Sequence, residues 1–191
     1  MTQQIDNDAR EQALAYARHQ AAKSLGELAA LMERTGEDCA RCLEGVSEAQ
    51  AAFKPELSKA EGHDQEWSMK EVVGHMLESS HSINREIANL AEGRPSSSVG
   101  RIGHTPGGDR PVEELRRELA ELWVETGRLV ASLSESASLE PTREHPWFGA
   151  LNFREWIAFQ RMHAIDHVQQ MEKLKAQPDY PEAHSAGSGQ G

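Results

Sequence analysis

Apolar residues recur along this chain at alternating spacings of three and four, the period of a helix with one buried face. In the first such segment, from about Asp8 to Gly45, Leu25, Leu28, Met32, Thr35, Cys39, Cys42 and Val46 form the seam, and Leu14, Ala17 and Ala21 extend it backwards. A single helix of that length would measure ~57 Å at 1.5 Å per residue, far beyond its partners. A bend or break around Ser24–Gly26, or an N-terminal extension outside the core, is therefore expected. The second segment has a sharp start: Ser68 with Glu71 three residues on is a capping box, and Trp67 is placed to staple onto Val72. Met69, Val73, Met76, Ser80, Ile83, Ile87 and Leu90 mark its inward face, and it stops near Gly93.

Residues 94–110 form a long connection, rich in Gly, Pro and Ser, and loops of that length serve as crossovers, lids or mobile segments. The third helix begins at Pro111 and carries the stripe Val112, Leu115, Leu119, Leu122, Thr126, Leu129 and Leu133. The fourth opens at Asn152, with Glu155 as its box partner, and runs to about Ala176. No strand pattern stands out, so the fold class is all-α, a four-helix bundle with a long connection between its second and third helices. The expected organisation is an N-terminal helical extension over 1–21, the bundle over 22–176, and a disordered tail over 177–191.

Along the fourth helix the seam reads Phe153, Trp156, Gln160, His163, His167, Gln170 and Leu174, apolar at the ends and polar in the middle. The neighbouring line of Ile157, Ala164, Val168 and Met171 stays apolar, so this face still points inward. Burying polar groups costs about 1–3 kcal/mol each unless they find partners. Imidazoles at i and i+4 share a face and can address one ion. His75, on the second helix beside the Met76 stripe, is the candidate third ligand. Spacing allows that triad in either relative helix direction, and equally allows a polar core satisfied within the bundle.

Composition narrows the functions. With 20 basic and 31 acidic residues the net charge is −11, against a nucleic-acid binder or a surface seeking anionic lipid. No stretch approaches the ~20 apolar residues of a membrane span, and the N-terminus has neither the basic region nor the apolar core of a secretion signal. A cytoplasmic location is expected. Cys39 and Cys42 form a CxxC spacing, but mid-helix on the buried stripe they read as small core residues. His19, His81, His104 and His184 read as surface, and His145 as a loop-stabilising residue near the mouth of any site.

The stretches Trp67-Ser68-Met69-Lys70-Glu71-Val72-Val73-Gly74-His75, His145-Pro146-Trp147-Phe148-Gly149-Ala150-Leu151-Asn152 and His163-Ala164-Ile165-Asp166-His167-Val168-Gln169-Gln170 resemble, in order and spacing, the DinB-like superfamily of metalloenzymes. The resemblance spans about residues 22–175. It implies a divalent transition metal (Zn, Ni, Fe or Mn) held inside a four-helix bundle by His75, His163 and His167. It also implies chemistry with low-molecular-weight thiols, since members include isomerases and S-transferases that use mycothiol, bacillithiol or glutathione. Some of those isomerases carry glutamate in place of the first fourth-helix histidine and have a second domain. This chain has His163 and no room for that domain, so S-transfer between a small-molecule thiol and an electrophile is the expected reaction. The alternatives are a metal-dependent hydrolase and a non-catalytic metal-binding or stress bundle. A homodimer is common in the family, and Trp123 is expected to be exposed and available to one. Gln160 and Gln170 are candidates to orient water or substrate, and Glu78 to accept the second N–H of His75. Asp166 flanks both helix-borne ligands and reads as solvent-facing.

Overall fold

The computed structural model describes residues 2–55, 67–94 and 108–182, with side chains from Asp8 onward. The roles expected of the 94–110 connection fall almost wholly outside those residues, as do His104, His184 and the tail beyond Glu182. Helix α1 covers Thr2–Ala21, α2 Leu25–Leu43, the short α3 Glu48–Ala52, α4 Met69–Ala91, α5 Val112–Ser132 and α6 Phe153–Lys175. Two three-residue strands, β1 (Arg143–His145) and β2 (Gly149–Leu151), pair antiparallel between α5 and α6. The all-α bundle expected from the sequence is present, with α3 and the small hairpin as additions to its four long helices. Strands of three residues are too short to carry an alternation that can be read.

The break in the first segment falls at Ser24. Its hydroxyl accepts the Glu27 N–H, and the Glu27 carboxylate accepts the Ser24 N–H, so a new helix starts with its end groups satisfied. The same reciprocal box opens α4 at Ser68–Glu71 and α6 at Asn152–Glu155. Pro111 precedes the first turn of α5, one residue earlier in role than its sequence placement.

Helices α2, α4, α5 and α6 form the bundle, with α2 against α5 and α6, and α4 against α5 and α6. Around the ring the order is α2, α5, α4, α6, so α2 and α4 face each other diagonally, as do α5 and α6. The segments between these diagonal pairs hold α3 and the hairpin. The expected stripes are the core: Met32, Cys39, Met76, Ile87, Leu119 and Phe153 are all buried. Helix α1 lies on α6, where Ala17 and Ala21 pack against Ala158 and Met162, and Arg18 pairs with Glu155. Small residues on both helices let the backbones approach closely. Residues 177–182, expected in the disordered tail, lie against the bundle: the Tyr180 ring packs edge-on to Phe53, and Gln50 Nε2 donates to the Pro181 carbonyl.

Trp123 is not on the surface. It is 2% exposed, because α2 places Gly36 directly beneath it. A Cβ at Gly36 would lie 2.6 Å from Trp123 Cβ, so the α2–α5 approach depends on that missing atom. Gly36→Ala is expected to lower stability by about 1–3 kcal/mol in a denaturant titration, despite the better helix propensity of alanine. At Gly127 the added Cβ would meet the flexible Glu33 side chain at 3.4 Å and the Ala29 carbonyl oxygen at an ordinary 4.0 Å. Gly127→Ala is expected to be neutral or stabilising by up to ~1 kcal/mol. Equal losses at both positions would show that the close α2–α5 contact has no energetic weight.

Candidate metal centre

His75 comes from the second turn of α4 and His163 and His167 from the middle of α6, two helices that pack side by side. Their ring nitrogens converge. His163 Nε2 lies 3.1 Å from His75 Nε2 and 3.0 Å from His167 Nε2, and the three ligand atoms sit within 4.8 Å of one another. Tetrahedral ligands about 2.1 Å from one ion stand roughly 3.4 Å apart, close to the 3.1 and 3.0 Å that separate His163 Nε2 from its two neighbours. All three candidates from the sequence are therefore brought to one point.

Protonation states suit a cation. Burial pushes the pKa of His163 well below its usual value, helped by His167, His75 and His145 nearby, so its imidazole is neutral at pH 7. Gln170 sets the tautomer of His167. Its carbonyl Oε1, an acceptor, lies 2.8 Å from His167 Nδ1, which must therefore carry the proton and leave the Nε2 lone pair to the cluster. Gln170, a candidate to orient water or substrate, thus touches a candidate ligand, His167. Glu78, expected in such a role for His75, is exposed. Gln160 is fully buried and donates to Asn84 Oδ1 at 3.0 Å, and Asn84 donates to Thr126 Oγ1 at 2.8 Å. It therefore belongs to a polar tie across α4, α5 and α6.

Gln170→Leu is expected to weaken metal binding by about 10–100-fold, read by chelator competition, because the His167 ring loses its anchor. Gln170→Glu keeps an acceptor there and is expected to restore the affinity. Equal affinity in wild type and the leucine variant would exclude this positioning role.

Trp67 closes one side of the cluster, its ring 5.1 Å from that of His75 and stacked 6.5 Å from that of His167. The sequence pattern marks Trp67 as a staple onto Val72; its place just before the Ser68 cap, two turns from His75, is the signal for this second role. On another side a cleft of about 1270 Å³ reaches His163 between α1, α4, α6 and the hairpin. His145 is in its wall, half-buried, with its Nδ1 accepting the N–H groups of Trp147 and Phe148. That pins the turn, whose left-handed residue is Gly149 at φ 74°. Burial pushes the His145 pKa down to about 4, so it too is neutral. Asp166 is exposed at the cleft edge, and His19 and His81 are exposed. Cys39 and Cys42 are free and buried, and burial raises each pKa to about 12, which leaves neither a ready nucleophile. Among the described residues no helix is long and apolar enough to cross a membrane.

The family model of the DinB superfamily matches residues 31–171, which include the whole triad. Among solved structures the chain is similar to YfiT from Bacillus subtilis, described as a probable metal-dependent hydrolase with an unusual four-helix bundle topology. The TM-score is 0.66 at 13% identity, over 82% of this chain and 89% of that one. No curated protein matches the sequence.

Proposed function

This chain belongs to the DinB superfamily, and from that premise we propose that it is a metal-dependent enzyme transferring a low-molecular-weight thiol to an electrophile. The convergence of three imidazole nitrogens beside an open cleft carries the reading. A closed structural site uses four protein ligands, whereas three leave positions for a reactant. A divalent ion bound there would act as a Lewis acid, lowering the pKa of a thiol or a water to near neutrality.

The chain supplies the rest. His75, His163 and His167 would hold the ion, Gln170 fixes the tautomer of His167, and Trp67 covers the cluster. The thiol comes from outside, since both cysteines are buried with raised pKa values. In the transfer the thiol gives its proton to solvent, its sulfur bonds to the electrophilic carbon, and the leaving group departs with the bonding pair.

Hydrolysis is the second reading, favoured by the fold shared with a probable metal-dependent hydrolase. One experiment separates the two. Untagged protein is analysed for metal by elemental mass spectrometry, then assayed with that metal, monochlorobimane and bacillithiol, mycothiol, glutathione or coenzyme A in turn. About one ion per chain and metal-dependent, thiol-dependent conjugation is the expected result. Metal-dependent cleavage of ester or amide substrates without a thiol would replace transfer by hydrolysis. Neither activity, with no metal retained, would leave a polar-core bundle.

A further inference from the structure

One face of α1 is left open. Ala9, Gln12, Ala13 and Tyr16 follow the i, i+3, i+4, i+7 pattern, yet they line the cleft, while Ala17 and Ala21 on the adjacent stripe make the contact with α6. Helix α1 lies outside the family-matched residues 31–171, so this wall is an addition to the matched core. It is held in place by Arg18–Glu155 and by Arg161 Nη1 donating to the Tyr16 hydroxyl at 3.1 Å. The two alanines facing the cavity keep it wide.

The opposite wall is aromatic. Exposed Trp147 meets Phe148, Phe148 stacks 4.9 Å from His145, His145 lies 4.3 Å from Phe159, and Phe159 lies 5.8 Å from His163. A run of ring contacts thus leads from solvent to the metal cluster. Flat π surfaces favour an aryl group lying against them. One fixed polar group sits in this wall. Because His145 Nδ1 accepts two backbone N–H groups, its proton is on Nε2, and among the described residues that nitrogen has no hydrogen-bond partner. It is a donor held ready at the cleft. The arginine lining the cleft, Arg143, is engaged by Glu86, while Glu144 and Asp166 add negative charge at the edge. Apart from an ion at the histidine cluster, an anionic occupant finds no free cation among the described residues that line the cleft.

Resting on the transferase reading above, we infer that the cleft between α1 and the hairpin binds the electrophilic substrate, an uncharged aryl-bearing molecule whose acceptor atom takes the His145 Nε2 proton donor. Helix α1 then sets the size of the aryl group, and His145 its register relative to the ion.

The test uses naphthalene-2-carboxamide as the probe, with naphthalene as the analogue lacking an acceptor, titrated calorimetrically into metal-loaded full-length protein. The amide is expected to bind at micromolar to submillimolar Kd and about tenfold more tightly than naphthalene. Ala13→Trp and Ser82→Trp, which fill the cleft from α1 and from α4, are each expected to raise the Kd for the amide at least about tenfold. Circular dichroism reports whether Ala13→Trp has released α1; if it has, Ser82→Trp, on the bundle helix α4, decides. No amide binding, equal affinity for amide and naphthalene, or a Kd within about twofold of wild type in the deciding variant would overturn the inference. Metal content and thiol conjugation are read on the same preparations. Probe binding without metal or turnover would sink the transferase reading and leave the cleft assignment standing, whereas turnover without probe binding would do the reverse.

Discussion

His163→Ala is expected to abolish stoichiometric metal retention and every metal-dependent activity with it. His163 is the middle member of the cluster, with its Nε2 at 3.1 Å and 3.0 Å from the other two ring nitrogens. Losing one of three protein ligands corresponds to roughly 1,000-fold in affinity, about 4 kcal/mol, on the scale of protein-bound divalent ions. Stability should follow. An ion held by His75 and His163 ties together positions 88 residues apart, and metal bound only to the folded state stabilises it by mass action. Wild type is therefore expected to show a Tm that rises with added metal, and the variant a Tm that does not. Metal retention by the alanine variant at wild-type stoichiometry would remove the triad as the site.

The second large effect lies at the hairpin. The Arg143 guanidinium of β1 pairs with the Glu86 carboxylate of α4, and the two side chains are only 13% and 4% exposed. Removing one member of a buried pair takes the neutralising charge from the other in a poorly solvated place, typically at 3–5 kcal/mol. Arg143→Ala is expected to lose about that much in urea titration, a large part of the ~5–15 kcal/mol that holds an ordinary domain together. Arg143→Lys should recover part of it by keeping the charge. A loss below about 1 kcal/mol would mean that water reaches the pair as it does on an open surface. Because Glu86 and Arg143 both line the cleft, loosening them should also free the wall that carries His145.

Much of this was legible in sequence because local chemistry marked it. Ser68 with Glu71 and Asn152 with Glu155 announced two helix starts, and both boxes are formed. His163 and His167 stood out as polar residues on an otherwise apolar seam, and His75 joined them through its place beside Met76. Three things were not readable, each for its own physical reason. The cleft draws its walls from α1, α4 and the hairpin with the α6 that follows it, three regions distant in sequence, and no single periodicity encodes it. Trp123 lies just beside the stripe of α5, and its burial depends on a glycine in another helix. Gln170 was visible three residues beyond His167, but only tertiary geometry distinguishes an oxygen aimed at a ligand from one aimed at a substrate.

The ring order α2, α5, α4, α6 also bears on how the chain reaches its native state. In an up-and-down bundle each helix can collapse onto its sequence neighbour, and such local closure makes folding fast. Here α2 has its largest partner in α5, beyond the whole of α3 and α4, and α5 is separated from α6 by the diameter of the bundle. Long stretches of chain must be brought together before these contacts give any return, and the entropy of closing them is lost first. Refolding should accordingly run slower than in an up-and-down bundle of the same length, with α4 and α5, adjacent both in the ring and in sequence, the natural pair to dock early.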